Sequence, residues 1–168
     1  MSRVLIIDDE PGIREVLKEI LEDEGHHVRT AEDGYQGLAL LEQDPFDVVL
    51  LDVRLPNMGG IDVLAAIREK HSDTETIMIS GHANIDLAVH AVKIGAFDFL
   101  EKPLDLNKTA TAVANAAKVR VLRSENRALR ESLLIEDRMI GSSAPMQRVR
   151  ELIRQSAASD SRILILGA

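Results

Sequence analysis

The sequence predicts an α/β protein in which a five-stranded, doubly wound parallel sheet is followed by a long helical linker. Short apolar runs alternate with stretches of helical period through the first hundred residues, which is typical of such a sheet. After Pro103 the pattern changes to one long amphipathic stretch without proline or glycine. The 168 residues suffice for one domain of ordinary size with an appendage.

The individual strands and helices are placed by the spacing of their apolar residues. In chain order they are a strand at 4–7, a helix with apolar residues at 13–21, a weak strand at 27–30, a helix around 38–41, a strand at 48–51, a helix at 61–67, a strand at 76–79, a helix at 85–92 and a strand at 97–100. Pro11 suits a helix start, Gly25 suits a helix end, and Gly95 precedes the last strand. Because strands alternate with helices, we expect them to lie parallel, with helices on both faces.

The long helix is predicted over residues 104–137, and its apolar residues follow a heptad. The a and d positions are Val119, Leu122, Asn126, Leu129 and Leu133. An Asn at an a position meets its twin only when two chains run parallel and in register, so the heptad predicts a parallel homodimer. Beside this seam Glu125 and Arg130 would attract across the dimer, whereas Lys118 and Arg123 would repel. The alternative is an ordinary amphipathic helix, since the heptad is short.

Composition and charge narrow the classes of function. The chain has no Cys and only 2% aromatic residues, which excludes thiolate chemistry and argues against base-stacking surfaces. Residues 1–106 hold 9 Lys and Arg against 22 Asp and Glu, and residues 107–168 hold 11 against 6. This contrast indicates either two functional units or one acidic domain with a basic helix, and the acidic part suits cations or a basic protein surface. Without a membrane span or a secretory signal, we expect a cytoplasmic protein with no membrane partner.

Polar side chains follow four of the predicted strands at the point where each strand ends. Asp8 and Asp9 follow the first strand, Asp52 the third, Ser80 the fourth and Lys102 the fifth. Ligands of an open parallel sheet bind beyond the carboxyl ends of its strands, so we expect these side chains to converge. A lone Asp in such a place is usually a helix cap, but five positions at one edge favour a site. Three carboxylates together require a cation, and oxygen ligands with open positions suit Mg²⁺.

As a set, these residues resemble the signature of the receiver domain of two-component response regulators, over residues 1–120. Pro56 and Gly60, four and eight residues beyond Asp52, match the loop that this family carries there. The resemblance implies the flavodoxin-like, CheY-like receiver fold. It also implies that Asp52 is the phosphoacceptor, which takes a phosphoryl group from the phosphohistidine of a sensor histidine kinase.

The same resemblance assigns roles around Asp52. Asp9, Asp52 and the backbone carbonyl of Arg54 would hold Mg²⁺ directly, whereas Asp8 would act largely through water. Lys102 would pair with the phosphoryl oxygens. Mg²⁺ and Lys102 would together offset the charge of the transferring group, which is most of what phosphoryl transfer requires.

Further matched positions imply a switch and a control of hydrolysis. Ser80 would hydrogen-bond a phosphoryl oxygen and vacate space into which Phe99, at the aromatic switch position, would rotate. The alternative for Phe99 is a plain core aromatic. Arg54 and His82, two residues after Asp52 and Ser80, would tune the access of hydrolytic water, although His82 is also compatible with an exposed residue outside the chemistry.

The rest of the chain resembles the sigma-54-dependent activators, regulators of the nitrogen-control and dicarboxylate-transport type. The heptad helix is similar to their linker, although Thr109, Ala110 and Ala117 stand where the family usually has Leu or similar residues. Residues 138–168 are similar to the opening of their AAA+ ATPase domain, with a turn at 141–145, a helix to about residue 158 and a strand at 163–166.

Gly167 would begin a phosphate loop of the form G-x-x-x-x-G-K-[ST], which the printed sequence does not complete. The resemblance therefore implies a truncated regulator without ATPase activity. Such a regulator would reach sigma-54 RNA polymerase and DNA only through C-terminal domains outside this chain.

Three other functions are weighed against this interpretation. A haloacid-dehalogenase-like, Mg²⁺-dependent phosphatase also uses an Asp nucleophile, but it places a second Asp two residues after the first, where this chain has Glu10. A nucleotide- or flavin-binding module would need glycines in the first turn, which offers only Gly12. A receiver fold that is not phosphorylated and serves only as a protein-binding module is the third.

Overall fold

The computed structural model describes residues 1–81, 85–136 and 143–156, in two compact units, Met1–Ala128 and Leu129–Ala168. The described elements are β1 (Arg3–Ile7), α1 (Pro11–Asp23), β2 (His27–Ala31), α2 (Gly34–Gln43), β3 (Val48–Asp52), α3 (Gly60–Lys70), β4 (Glu75–Ser80), α4 (Ile85–Ile94), β5 (Asp98–Glu101), α5 (Leu106–Glu136) and α6 (Ala144–Ser156). Among the described residues, no helix combines the length and the apolar character needed to cross a bilayer.

The five strands form one parallel sheet in the order β2-β1-β3-β4-β5. The predicted fold class is therefore confirmed. Ile7 lies beside Leu51, Asp52 beside Ile79, and Ser80 beside Glu101. Because these partners are the last residues of their strands or next to them, the carboxyl ends of β1, β3, β4 and β5 share one edge of the sheet.

Alternate residues of the central strands enter two separate hydrophobic layers, as the two-residue period of a strand requires. One layer contains Leu5, Ile7, Val49, Leu51 and Met78 of the sheet, covered by Leu40, Leu41, Val63, Leu64, Ile67 and Ala91. The other contains Val4, Ile6, Val48, Leu50, Ile77 and Ile79, covered by Leu17, Leu21, Ala112, Val113, Ala116 and Ala117. Helices α2, α3 and α4 thus lie on one face, and α1 and α5 lie on the other.

The helix boundaries follow local chemistry. Pro11 occupies the first turn of α1, and Gly25 ends the turn after it with a φ of +83°, a conformation that glycine adopts without steric cost. The side chain of Asp33 caps α2 by accepting a hydrogen bond from the Gln36 backbone N–H at 2.8 Å.

Helix α5 begins at Leu106, two residues later than the sequence predicts. The reason is that Asp105 caps it: the Asp105 side chain accepts from the Lys108 N–H at 3.1 Å, and its carbonyl accepts from the Thr109 hydroxyl at 2.9 Å. Thr109 and Ala117, which depart from the family pattern, are buried. The face of α5 that covers the sheet is therefore made mostly of small residues. The strand predicted at 163–166 lies outside the described residues.

Candidate functional site

The site residues predicted from the sequence meet at the carboxyl edge of the sheet. Asp8 directly follows β1, Asp52 is the last residue of β3, Ser80 is the last residue of β4, and Lys102 directly follows β5. The backbone N–H of Lys102 donates to the Ser80 carbonyl at 2.8 Å, which extends the pairing of β4 and β5 by one residue. The structure thus brings the first, third and fifth strand ends into contact through their side chains.

The Lys102 ammonium lies at the centre of this cluster. Its Nζ is 2.5 Å from Asp52 Oδ2, 2.7 Å from Glu10 Oε1 and 3.0 Å from Asp8 Oδ2, and the side chain is only 13% exposed. Burial by itself lowers the pKa of Lys102. The hydrogen bonds to Asp52 and Glu10 and the ion pair with Asp8 outweigh that effect and raise the pKa above its ordinary value. Lys102 is therefore a fixed positive charge beside the Asp52 carboxylate.

Asp8 and Asp52 are both buried carboxylates, with Asp8 fully covered and Asp52 4% exposed. Burial raises the pKa of Asp8. The nearby Asp52 charge acts in the same direction, whereas the hydrogen bond from the Glu10 backbone N–H and the Lys102 ammonium oppose it. Although Asp8 Oδ2 is at ion-pair distance from Lys102, it makes no hydrogen bond within the described part of the chain. A buried carboxylate oxygen in this state has free capacity for a cation.

The donor set fits a hard divalent cation. Asp8, Asp9, Glu10 and Asp52 each offer a carboxylate oxygen, and these oxygens lie within 4.8 Å of one another. An oxygen-only group with two exposed members matches the preference of Mg²⁺, which keeps several of its waters. Together with the buried oxygen of Asp8 that lacks a hydrogen bond, this set supports a metal at this position.

Glu10 is the member of the cluster to which sequence reasoning gave no role. It is 58% exposed, and its carboxylate reaches Lys102 from the solvent side. The signal was available, because Glu10 completes the acidic run that begins at Asp8. Its contact with Lys102 was not predictable, since the two residues lie 92 positions apart.

The loop after Asp52 is held against the acceptor residue. The Arg54 backbone N–H donates to Asp52 Oδ1 at 2.8 Å, and the Gly60 N–H donates to the Val53 carbonyl at 3.0 Å. Helix α3 starts so close to β3 that a Cβ placed on Gly60 would lie 2.1 Å from the Asp52 carbonyl oxygen. Gly60 is therefore required for this approach. A role for the Arg54 carbonyl as a metal ligand stays a prediction.

The structure describes Ser80 and Phe99 of the predicted switch but not His82, which is predicted to control hydrolysis. Ser80 is buried beside the strand that carries Asp52, and Phe99 is partly buried against the layer covered by α2, α3 and α4. The rotation predicted for Phe99 stays a prediction, as does the alternative of a plain core aromatic. His82 and Gly167 lie outside the described residues.

The predicted dimer residues lie on α5 and differ in exposure. Val119 is partly buried, whereas Leu122 is 55% and Leu129 is 64% exposed, and Asn126 is exposed. The side chain of Leu133 lies outside the described residues. The Arg123 guanidinium pairs with Glu75 of the same chain, and its repulsion of Lys118 across a dimer stays a prediction.

Comparison with known proteins decides which family has this geometry. The family model described as the response regulator receiver domain matches residues 4–114. This chain belongs to the response regulator receiver family. The match includes β2 to β5 and all of β1 except Arg3. It decides in favour of a receiver over a phosphatase of the haloacid-dehalogenase type.

Curated relatives match the receiver and the residues after it. The C4-dicarboxylate transport transcriptional regulatory protein DctD of Pseudomonas aeruginosa is 39% identical over 170 residues, which cover 99% of this chain and 37% of the relative. The nitrogen assimilation regulatory protein NtrX of Azorhizobium caulinodans is 37% identical over 166 residues, covering 98% and 36%. This chain thus spans little more than a third of the length of these relatives.

Solved structures agree with the receiver assignment. NtrX from Brucella abortus, solved in complex with ATP, has a TM-score of 0.73 at 34% identity and covers 96% of this chain and 36% of its own. A response regulator receiver domain from Clostridium thermocellum has a TM-score of 0.69 at 33% identity, covering 73% and 98%. The predicted recognition of a two-component response regulator receiver is confirmed, and the matched relatives DctD and NtrX belong to the predicted group of sigma-54-dependent activators.

Proposed function

We propose that this receiver takes a phosphoryl group from the phosphohistidine of a sensor histidine kinase onto the Asp52 carboxylate. The observation that carries the proposal is the placement of Lys102 Nζ between the buried carboxylates of Asp52 and Asp8. A nucleophile that receives a phosphoryl group needs positive charge where the phosphoryl oxygens will lie. Lys102 has a raised pKa and is therefore positively charged throughout the physiological range.

The transfer forms one bond and breaks one bond. An Asp52 carboxylate oxygen attacks the phosphorus, the P–N bond to the kinase imidazole breaks, and its electron pair stays on the imidazole nitrogen. The product is an acyl phosphate on Asp52. Mg²⁺, held by Asp8, Asp9, Asp52 and the Arg54 carbonyl, would neutralise charge on the phosphoryl oxygens.

The remaining chemistry belongs to residues of this chain. Lys102 exchanges its contact with Asp52 for a contact with a phosphoryl oxygen, while Glu10 continues to hold it from the solvent side. Ser80 donates a hydrogen bond to another phosphoryl oxygen, and Phe99 rotates into the space that Ser80 leaves. Arg54 and His82 limit the access of water to the acyl phosphate.

Output depends on assembly and on segments beyond this chain. The receiver forms a parallel homodimer through Val119, Leu122, Asn126, Leu129 and Leu133, supported by the exposure of Leu122 and Leu129 on α5. Residues 138–168 correspond to the opening of an AAA+ ATPase domain, through which the longer protein would act in the cytoplasm on sigma-54 RNA polymerase and DNA. The solved NtrX structure with ATP, which matches 96% of this chain, supports this arrangement.

The test is mass spectrometry of the chain after incubation with acetyl phosphate and Mg²⁺. We expect one phosphoryl group per chain on Asp52, and none in Asp52→Asn, which keeps the shape of the side chain and removes the nucleophile. Lys102→Ala should still label but should not change conformation. Equal labelling of wild type and Asp52→Asn would refute the assignment. Continuous turnover of p-nitrophenyl phosphate would point to a phosphatase, and no labelling at all to a binding module.

A further inference from the structure

Three arginines of α5 pair with carboxylates at the amino-terminal edge of the sheet, away from the phosphorylation site. The pairs are Arg120 with Asp47, Arg123 with Glu75, and Arg127 with Asp73. Arg120 Nη1 is 3.0 Å from Asp47, and the Arg127 guanidinium holds both oxygens of Asp73, with Nη1 donating to Oδ2 at 2.7 Å. We call these six residues the clamp.

Two of the three carboxylates of the clamp, Asp47 and Glu75, are tied to the sheet by hydrogen bonds, whereas Asp73 lies in the turn before β4. Glu75, the first residue of β4, is 2% exposed, and the Arg68 guanidinium of α3 lies 3.2 Å from its other oxygen. The Glu75 N–H donates to the Asp47 carbonyl at 3.0 Å, and the Asp47 side chain accepts from the Arg3 N–H at 2.7 Å. Asp47 and Glu75 cannot follow a displaced helix without loss of these hydrogen bonds.

The basic half of the clamp continues the buried face of α5. Val113 and Ala116 pack on the sheet, and Arg120, Arg123 and Arg127 follow at spacings of 4, 3 and 4 residues. Residues at such spacing lie on one side of a helix. The three arginines therefore face the receiver on the part of α5 that lies beyond its apolar contact with the sheet.

The apolar stripe of the heptad lies on a different side of the same helix. Leu122 and Asn126 are exposed, and Val119 is only partly buried. Each of them directly precedes an arginine of the clamp in the chain. Adjacent positions of a helix are turned by about 100° from one another. If α5 rotated about its axis, the stripe would turn toward the receiver and the arginines would turn into the seam.

We propose that the clamp fixes the rotation of α5 about its own axis and thereby directs the stripe of Val119, Leu122 and Asn126 toward a second copy of this chain. This inference rests on the proposed homodimer. The clamp also lessens the repulsion expected from the heptad at Arg123, because Glu75 holds the Arg123 guanidinium against the receiver within each chain. The occupant of the stripe is a second copy, since Asn126 at an a position pairs with its own twin.

The first test examines the clamp alone, in a chain made monomeric by Leu122→Asp and Leu129→Asp. Both leucines are exposed, so the fold should persist. Adding Arg123→Gln and Arg127→Gln should make amide hydrogen exchange over residues 118–128 about tenfold faster, because two ion pairs are lost at the surface. The matched control is Lys108→Gln with Lys118→Gln, which removes two exposed charges of α5 that form no ion pair in the described part of the chain. A charge swap, Arg127→Asp with Asp73→Arg, should protect these amides from exchange better than Arg127→Asp alone.

The second test measures dimer dissociation by sedimentation in the otherwise unchanged chain. Arg123→Gln with Arg127→Gln should raise the dissociation constant about threefold to tenfold, and the Lys108→Gln, Lys118→Gln control should not. Equal exchange in clamp and control variants overturns the clamp. If the Arg123→Gln, Arg127→Gln variant exchanges faster but its dimer dissociation constant is unchanged, the clamp does not direct the stripe toward a second copy. The homodimer itself fails separately, if wild type and the Leu122→Asp, Leu129→Asp variant sediment alike.

Discussion

Gly60→Ala tests whether the phosphoacceptor strand and α3 are packed as closely as the structure shows. The new Cβ would lie 2.1 Å from the Asp52 carbonyl oxygen, 2.8 Å from Val53 Cα and 2.9 Å from the Asp52 carbonyl carbon. Ordinary contact begins at 3.4 Å, and all three neighbours are backbone atoms that cannot rotate away. The start of α3 must therefore move from the strand, which weakens the hydrogen bond from Gly60 N–H to the Val53 carbonyl.

The expected cost follows from this displacement. Overpacking of a tight interior costs about 1–3 kcal/mol, and loss of the hydrogen bond adds about 1 kcal/mol, so Gly60→Ala should lower the free energy of unfolding by about 2–4 kcal/mol. Gly12→Ala is the matched control, because it is also in the first turn of a helix but its Cβ would meet nothing within 4 Å. That variant should gain about 0.4–1 kcal/mol.

Urea unfolding of the three proteins measures these differences, and acetyl phosphate labelling of the same proteins reports on Asp52. Labelling should slow in Gly60→Ala, since the displaced loop also carries the Arg54 N–H that orients Asp52 Oδ1. A loss of stability below about 0.5 kcal/mol in Gly60→Ala would show that the gap between β3 and α3 is wider than described.

Three further outcomes are expected. Mg²⁺ at one hundred times its dissociation constant should raise the free energy of unfolding of wild type by about 2.7 kcal/mol. Asp9→Ala and Asp8→Asn should both weaken this gain in a Mg²⁺ titration followed by thermal unfolding. Without Mg²⁺, Asp8→Asn should be more stable than wild type, because burial disfavours the Asp8 charge in the folded state. Burial lowers the pKa of His26 below the 6.5 of the unfolded chain, so the unfolded state binds more protons in mild acid. Stability should consequently fall as the pH drops below about 6.5 and through the folded pKa, and His26→Gln should flatten this part of a urea-unfolding series against pH. Finally, purified chain of residues 1–168 should release no phosphate from ATP above a buffer control, because its sequence contains no complete phosphate loop.

The sequence by itself determined the order of strands and helices and most of the residues at the site. Residues 48–51 are all apolar, so both sides of this strand must be covered, and the structure buries every one of them. A central strand of a parallel sheet with helices on both faces provides this cover. Since side chains after parallel strands share one edge, Asp8, Asp52 and Lys102 could be assigned to one site before any contact was known. Their distances to one another confirm that they meet.

Only the tertiary structure decided what meets across long separations in the chain. Periodicity states that a residue faces inward but not which strand or helix it contacts, so the contacts of Lys102 with Glu10 and of Arg123 with Glu75 could not be read from spacing. Exposed charges on a helix look alike in sequence, and the spacing that placed Arg123 beside the dimer heptad gave no sign of its pair with Glu75. Likewise, the need for glycine at position 60 arises from the Asp52 carbonyl, whose position is set by the packing of α3 on β3.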